Sequence, residues 1–217
     1  MKSKVSATNK MVAVSVLFTL ILLTLRIIVS GQLNYIFFAW NLFLATIPLM
    51  ISNQLLKQHS LSLKVYIMLT AWLLFLPNAP YIITDIFHFK ERPPVPLWFD
   101  LLVVTSAAWN GLIIGIISLL QVDRFLHRHI RRQWVYVIVV GCLMLSAFGI
   151  YLGRFLRFNS WDVLTNPFAL LSSIFYRVHY PFDHLRTWGF TLLFGGLLSI
   201  AYFTIKSLAY TGKRFES

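Results

Sequence analysis

Charge is scarce in this chain and cysteine nearly absent. Charged residues make up 12% of the sequence and hydrophobic residues 58%, a balance that excludes an ordinary soluble domain. Cys142 is the single cysteine and lies inside an apolar run. It rules out an intrachain disulfide, reads as a buried and inert thiol, and leaves the redox compartment open. No HExxH, Walker loop or GxSxG occurs, so the chain carries none of the familiar catalytic signatures. It also lacks an internal repeat, which counts against a transporter built from inverted halves. No nucleic-acid module can be found.

What is present is apolar sequence in lengths that suit a bilayer, whose core needs about 20 helical residues. Six such segments occur, at about 11–29, 35–51, 61–76, 98–120, 134–152 and 187–207. The chain over 1–217 therefore reads as one integral membrane domain. The expected fold is all-α, a polytopic helical bundle of about six transmembrane helices with short interfacial or re-entrant helices on the outer side. Lys2, Lys4 and Lys10 precede the first apolar run as in a signal peptide. That run extends through Val29 without a small-residue cleavage site, which favours an uncleaved first span.

The net charge of +12 would point to nucleic acid in a soluble protein, but here the basic residues sit in short loops between spans, where they set topology. Counted on alternate sides, twelve Lys and Arg fall with the two termini and seven on the other side. This predicts both termini in the cytoplasm of a cell-membrane protein.

The stretch Trp72–His88, WLLFLPNAPYIITDIFH, organises the rest. Pro77 and Pro80 lack amide donors and bias the residues before them away from helical geometry, so span three is expected to end there. Asn78 is then placed to cap a new helix with Pro80 in its first turn. On it Tyr81, Asp85 and His88 follow at intervals of four and three residues, putting a phenol, a carboxylate and an imidazole on one face.

A second polar run, Gly153-Arg154-Phe155-Leu156-Arg157-Phe158-Asn159-Ser160-Trp161-Asp162, closes the fifth span. If its helix continues, Trp161 stacks on Arg157 one turn away. Together with LPNAPYIITDIFHF at 76–89, this run resembles a bacterial family of multi-pass integral membrane proteins of similar length, domain of unknown function 1361. The resemblance implies a membrane fold over most of the chain and supplies no activity.

Other polar residues along the spans have simpler readings. Arg26 suits snorkelling to the headgroups, and Asp100 suits a carboxylate at a helix N-terminus. Asn41 and Asn110 suit interhelical hydrogen bonds, possible partners for each other. Gly111 and Gly115 permit close helix contact. His127 and His129 alternate along the chain and so face different ways, which speaks against metal binding. Asn166 and Pro167 read as the start of an amphipathic helix on the outer surface.

Five of the seven acidic residues, Asp85, Glu91, Asp100, Asp162 and Asp183, fall on or beside the outer side, with His88, His179 and His184. Three function classes follow. In an enzyme, Asp85 and His88 would act as a general base or bind a divalent metal together with the second motif or Asp183 and His184. Asn78, Tyr81, Arg154, Arg157, Asn159 and Asp162 would then receive an anionic group. In a scaffold or partner-binding subunit, Asp85 and Asp162 would pair with Arg154 and Arg157 to lock the outer loops. In a transporter, Asn41, Asn110 and Asp100 would line a solute site. The partners implied are membrane lipids, with a lipid headgroup or another anionic amphiphile as ligand. The sequence names no cofactor, no metal and no oligomeric state.

Overall fold

The computed structural model describes residues 2–90 and 92–214, with the side chains of residues 2–6, His88 and residues 210–214 outside the description. The chain folds as an all-α bundle: α1 (Lys2–Ser30), α2 (Phe37–Leu55), α3 (Leu63–Phe75), α4 (Asn78–Tyr81), a 3-10 turn (Ile82–His88), α5 (Leu97–Leu126), α6 (Arg132–Leu156), α7 (Asp162–Thr165), α8 (Pro167–His179) and α9 (Leu185–Arg214). No strand occurs among the described residues.

Five helical stretches are long and apolar enough to cross a membrane: 7–30, 63–87, 97–126, 132–156 and 182–209. The expected second span, α2, is helical but falls outside this set, because Asn41, Pro48, Asn53 and Gln54 dilute its apolar run. The long helices present large exposed apolar side chains outward, among them Leu63 at 77% and Leu193 at 80% exposed. Soluble surfaces avoid such a belt, and lipid tails cover it without cost.

α5 is the axis of the bundle. Its apolar window is 56% buried, against 44% or less for the other four stretches. α1 runs antiparallel beside it, with Arg26 at Asp100 and Thr19 at Asn110. α2 runs parallel to it, and Ser52 donates to Gln121 Oε1 at 2.8 Å. α6 and α9 pair antiparallel, with Phe148 stacked on Trp188 and Tyr136 on Phe203. These contacts put the start of α1 and the end of α9 at the end where α5 finishes. Asp100, Asp85 and Arg154 lie at the opposite end.

The proline stretch departs from expectation. Leu76 and Pro77 keep right-handed helical dihedrals, the Leu76 amide still reaches the Trp72 carbonyl, and the Tyr81 amide reaches the Pro77 carbonyl. The chain turns extended only at Phe89. Pro80 cannot donate to the Leu76 carbonyl, and the Ala79 amide takes that carbonyl at 3.2 Å in a tighter turn. Span three therefore continues from Leu63 through Phe87 as one irregular rod, not as a helix followed by a separate one. Asn78 does not cap: its amide donates to the Phe75 carbonyl and to Ser160 Oγ, at 3.1 and 2.9 Å.

Glycines hold this irregular rod close. A methyl group built at Gly111 of α5 would run into the Ala79 carbonyl oxygen, and one at Gly115 would meet the Ala79 methyl at 3.3 Å. From α6, a methyl at Gly149 would lie 3.0 Å from Pro77 Cγ, and one at Gly153 would lie 3.2 Å from the Tyr81 ring. Four missing side chains thus form the cradle in which Pro77–Ile82 sits.

Candidate functional site

The first polar centre lies where the rod ends. Asp85 is 2% exposed and forms an ion pair with Arg154. Its second oxygen accepts from Asn41 Nδ2 at 2.9 Å. Arg154 Nε donates to Thr84 Oγ1 at 2.9 Å, and its guanidinium lies 4.4 Å from the centre of the Tyr81 ring. Residues from α2, the rod and α6 are joined through one carboxylate, which a buried charge needs in order to offset its desolvation.

A second centre lies beside it. Arg26 Nε donates to Asp100 Oδ1 at 2.7 Å and its Nη2 to Oδ2 at 3.3 Å, a bidentate pair in which both side chains are buried. The guanidinium also lies 4.3 Å from the centre of the Tyr35 ring, and that of Arg92 lies 4.8 Å from the same ring. Arg26 is therefore neither a snorkelling anchor nor exposed, and Asp100 is its counter-charge, not a helix cap. The energetic reason is that a carboxylate within an apolar helix finds a paired arginine cheaper than solitary burial.

The mid-bundle amides are used for packing. Asn110 is 2% exposed and donates to Ser15 O, Thr19 Oγ1 and Ser106 O at 2.8–3.1 Å. It does not pair with Asn41, which lies instead with Asp85. At the far end Lys206 Nζ pairs with Asp123 at 2.9 Å, so that lysine is a buried partner and not a loop charge.

Two cavities open at the Asp85 end. The larger, about 640 Å³, lies between α2, the rod, α6 and the loop after it. Leu44, Leu73, Leu145 and Leu152 give it apolar walls, while Asn41, Asn78, Tyr81, Arg157, Asn159 and Ser160 supply polar groups. The smaller, about 350 Å³, is lined by Phe37, Asn41, Tyr81, Asp85, Arg92 and Arg154. Asn41 and Tyr81 line both cavities.

The predicted site residues separate into groups. Asp85, Tyr81 and Arg154 come together, and Asn78, Tyr81, Arg157 and Asn159 line one cavity. Asp162 joins neither: it accepts from the Asn159 amide at 2.6 Å and from Thr165 Oγ1 at 3.0 Å, closing its own loop. The side chain of His88 lies outside the described residues. No group of three His, Cys, Asp or Glu gathers among the described residues, Asp183 and His184 included.

α6 ends at Leu156, and Arg157 takes a left-handed conformation with φ of 63°. The expected helical stack on Trp161 therefore does not form, because the turn carries Arg157 out of register. That guanidinium has no hydrogen-bond, ion-pair or ring partner among the described residues. Thr84, Ser160, Arg92 and the Arg26–Asp100 pair were not foreseen as neighbours of the site. Only the rarity of acids near apolar runs could have pointed to Arg26 and Asp100 as partners.

An all-α bundle with long apolar helices and buried charge pairs at both ends is consistent with a membrane protein. The chain belongs to a protein family of unknown function, DUF1361, whose model matches residues 40–201 and so takes in both polar motifs. No curated protein and no solved structure matches it.

Proposed function

We propose that the chain is a multi-pass protein of the cell membrane, with both termini in the cytoplasm, that binds an anionic amphiphile in the larger cavity from the extracytoplasmic side. The observation that carries this reading is Arg157: an arginine without a partner among the described residues, at the wall of a cavity that leucines also line. An unpaired guanidinium among aromatic and amide groups suits a phosphate or carboxylate head, and the leucines suit a chain. The volume falls within the range of small-molecule sites.

Asp85 supports the site without being available to it, since Arg154 and Asn41 already hold both oxygens. The reading is thus of binding, with the ion pairs as its frame. The side of the membrane rests on the twelve-to-seven distribution of basic residues.

The test is occupancy of phosphatidylglycerol on the purified full chain, followed by native mass spectrometry as lipid is titrated into detergent micelles. Saturable binding that falls about tenfold in Arg157→Gln, a loss of one charged hydrogen bond, supports the reading. Lys57→Gln, an exposed lysine at the other end, should leave it unchanged. Equal losses for both variants would mean bulk charge attraction and would overturn the site.

A further inference from the structure

The hydrogen-bonding inventory of the cavity defines what the head of such a ligand must carry. This deepens the amphiphile reading and rests on it. Asn41 donates its amide N–H to the Asp85 carboxylate, and Asn78 donates to the Phe75 carbonyl. Each of those partners can only accept, so both amides are fixed in orientation. Neither amide oxygen is engaged by a described residue, and both residues line the cavity. The Tyr81 hydroxyl and the Asn159 side chain likewise make no hydrogen bond to a described residue.

The cavity therefore presents acceptors, Asn41 and Asn78, beside groups that donate, Arg157 and Tyr81. An ionised phosphate diester by itself has no hydrogen to offer the two amide oxygens. An ammonium head could satisfy them, but the charge around the site opposes it. Arg154 and Arg92 line the adjoining cavity, and its one carboxylate, Asp85, is already bonded to Arg154 and Asn41. Among the described lining residues Arg154 is offset by Asp85, which leaves Arg157 and Arg92 as net positive charge, and this repels an approaching cation. A neutral hydroxyl is both donor and acceptor and carries no charge.

We infer that the ligand is an amphiphile with a phosphate diester whose head ends in hydroxyls, either a glycerol or a sugar. The phosphate meets Arg157, and the hydroxyls are read by Asn41, Asn78 and Tyr81.

The discriminating pair of lipids is phosphatidylglycerol and phosphatidylmethanol with identical acyl chains, which share one negative charge and differ in the head hydroxyls. In native mass spectrometry of the full chain, phosphatidylglycerol should bind about tenfold tighter, the discrimination that two net hydrogen bonds provide. Phosphatidylethanolamine should bind more weakly than either. Phosphatidylinositol, run in parallel, separates a sugar-like head from glycerol by which of the two binds tighter, and either order supports the inference provided both exceed phosphatidylmethanol.

Tyr81→Phe keeps the ring beside Arg154 and should narrow the preference about threefold. Equal affinity for phosphatidylglycerol and phosphatidylmethanol, with both still weakened by Arg157→Gln, would overturn the hydroxyl inference and leave the amphiphile site standing. Binding of neither lipid, or binding insensitive to Arg157→Gln, would overturn both.

Discussion

Asp85 and Arg154 stand 69 residues apart in the chain and meet as a buried ion pair, which ties the end of the irregular third span to the end of α6. The pair sits next to the candidate cavity without being its free charge. Removing one member of a buried pair leaves the other desolvated and unmatched, at a cost of about 3–5 kcal/mol, whereas removing both leaves no orphan charge. Asp85→Asn and Arg154→Gln should therefore each lower the thermal unfolding midpoint in detergent strongly, and the double variant less than the sum of the two. Additive losses would show that the two side chains contribute independently.

The glycine cradle makes a sharper structural prediction. Gly111→Ala places a methyl group against the Ala79 carbonyl oxygen, with Ile82 Cδ1 at 3.1 Å. Backbone cannot yield as a flexible side chain does, so overpacking should cost about 1–3 kcal/mol. Gly141→Ala has nothing within 4 Å of the new methyl and should be neutral or slightly stabilising, as alanine is the better helix former. Thermal midpoints of the two purified variants measure the contrast. Equal behaviour would remove the cradle as the reason the rod sits where it does.

Helical periodicity and apolar length are local properties, and the sequence alone was enough to locate the long helices, though not their ends. The start of α8 at Pro167 and the amphipathic character of that segment were also readable, since they depend on neighbouring residues. What stayed hidden were pairings over long separations. Arg26 and Asp100 are each plausible at a membrane boundary alone, and nothing local says that 74 residues of chain bring them together. The same holds for Asn41, legible as an interhelical amide but not as the partner of Asp85. The proline stretch misled for a different reason. Proline rules describe an isolated helix, whereas here four glycines from α5 and α6 make room for a tighter turn that continues the rod. Of the candidate site, Asp85 meets Arg154 as charge pairing between the two motifs suggested, with Tyr81 beside them, while Asp162 turns back on its own loop because its nearest unmet donors are the Asn159 amide and Thr165 hydroxyl.

The sidedness of the cavity can be decided directly. Lys90 lies just after the rod and Arg128 just after α5, both exposed and at opposite ends of the bundle. In a Cys142→Ala background, Lys90→Cys should react with a membrane-impermeant maleimide in intact cells, and Arg128→Cys should react only after the membrane is opened. The argument is that basic loops are retained in the cytoplasm, where twelve of the nineteen Lys and Arg are expected. The reverse pattern would turn the cavity toward the cytoplasm, and an anionic amphiphile would then have to reach Arg157 from the inner leaflet. Such a result would leave the geometry of the site intact and change which membrane lipids are available to fill it.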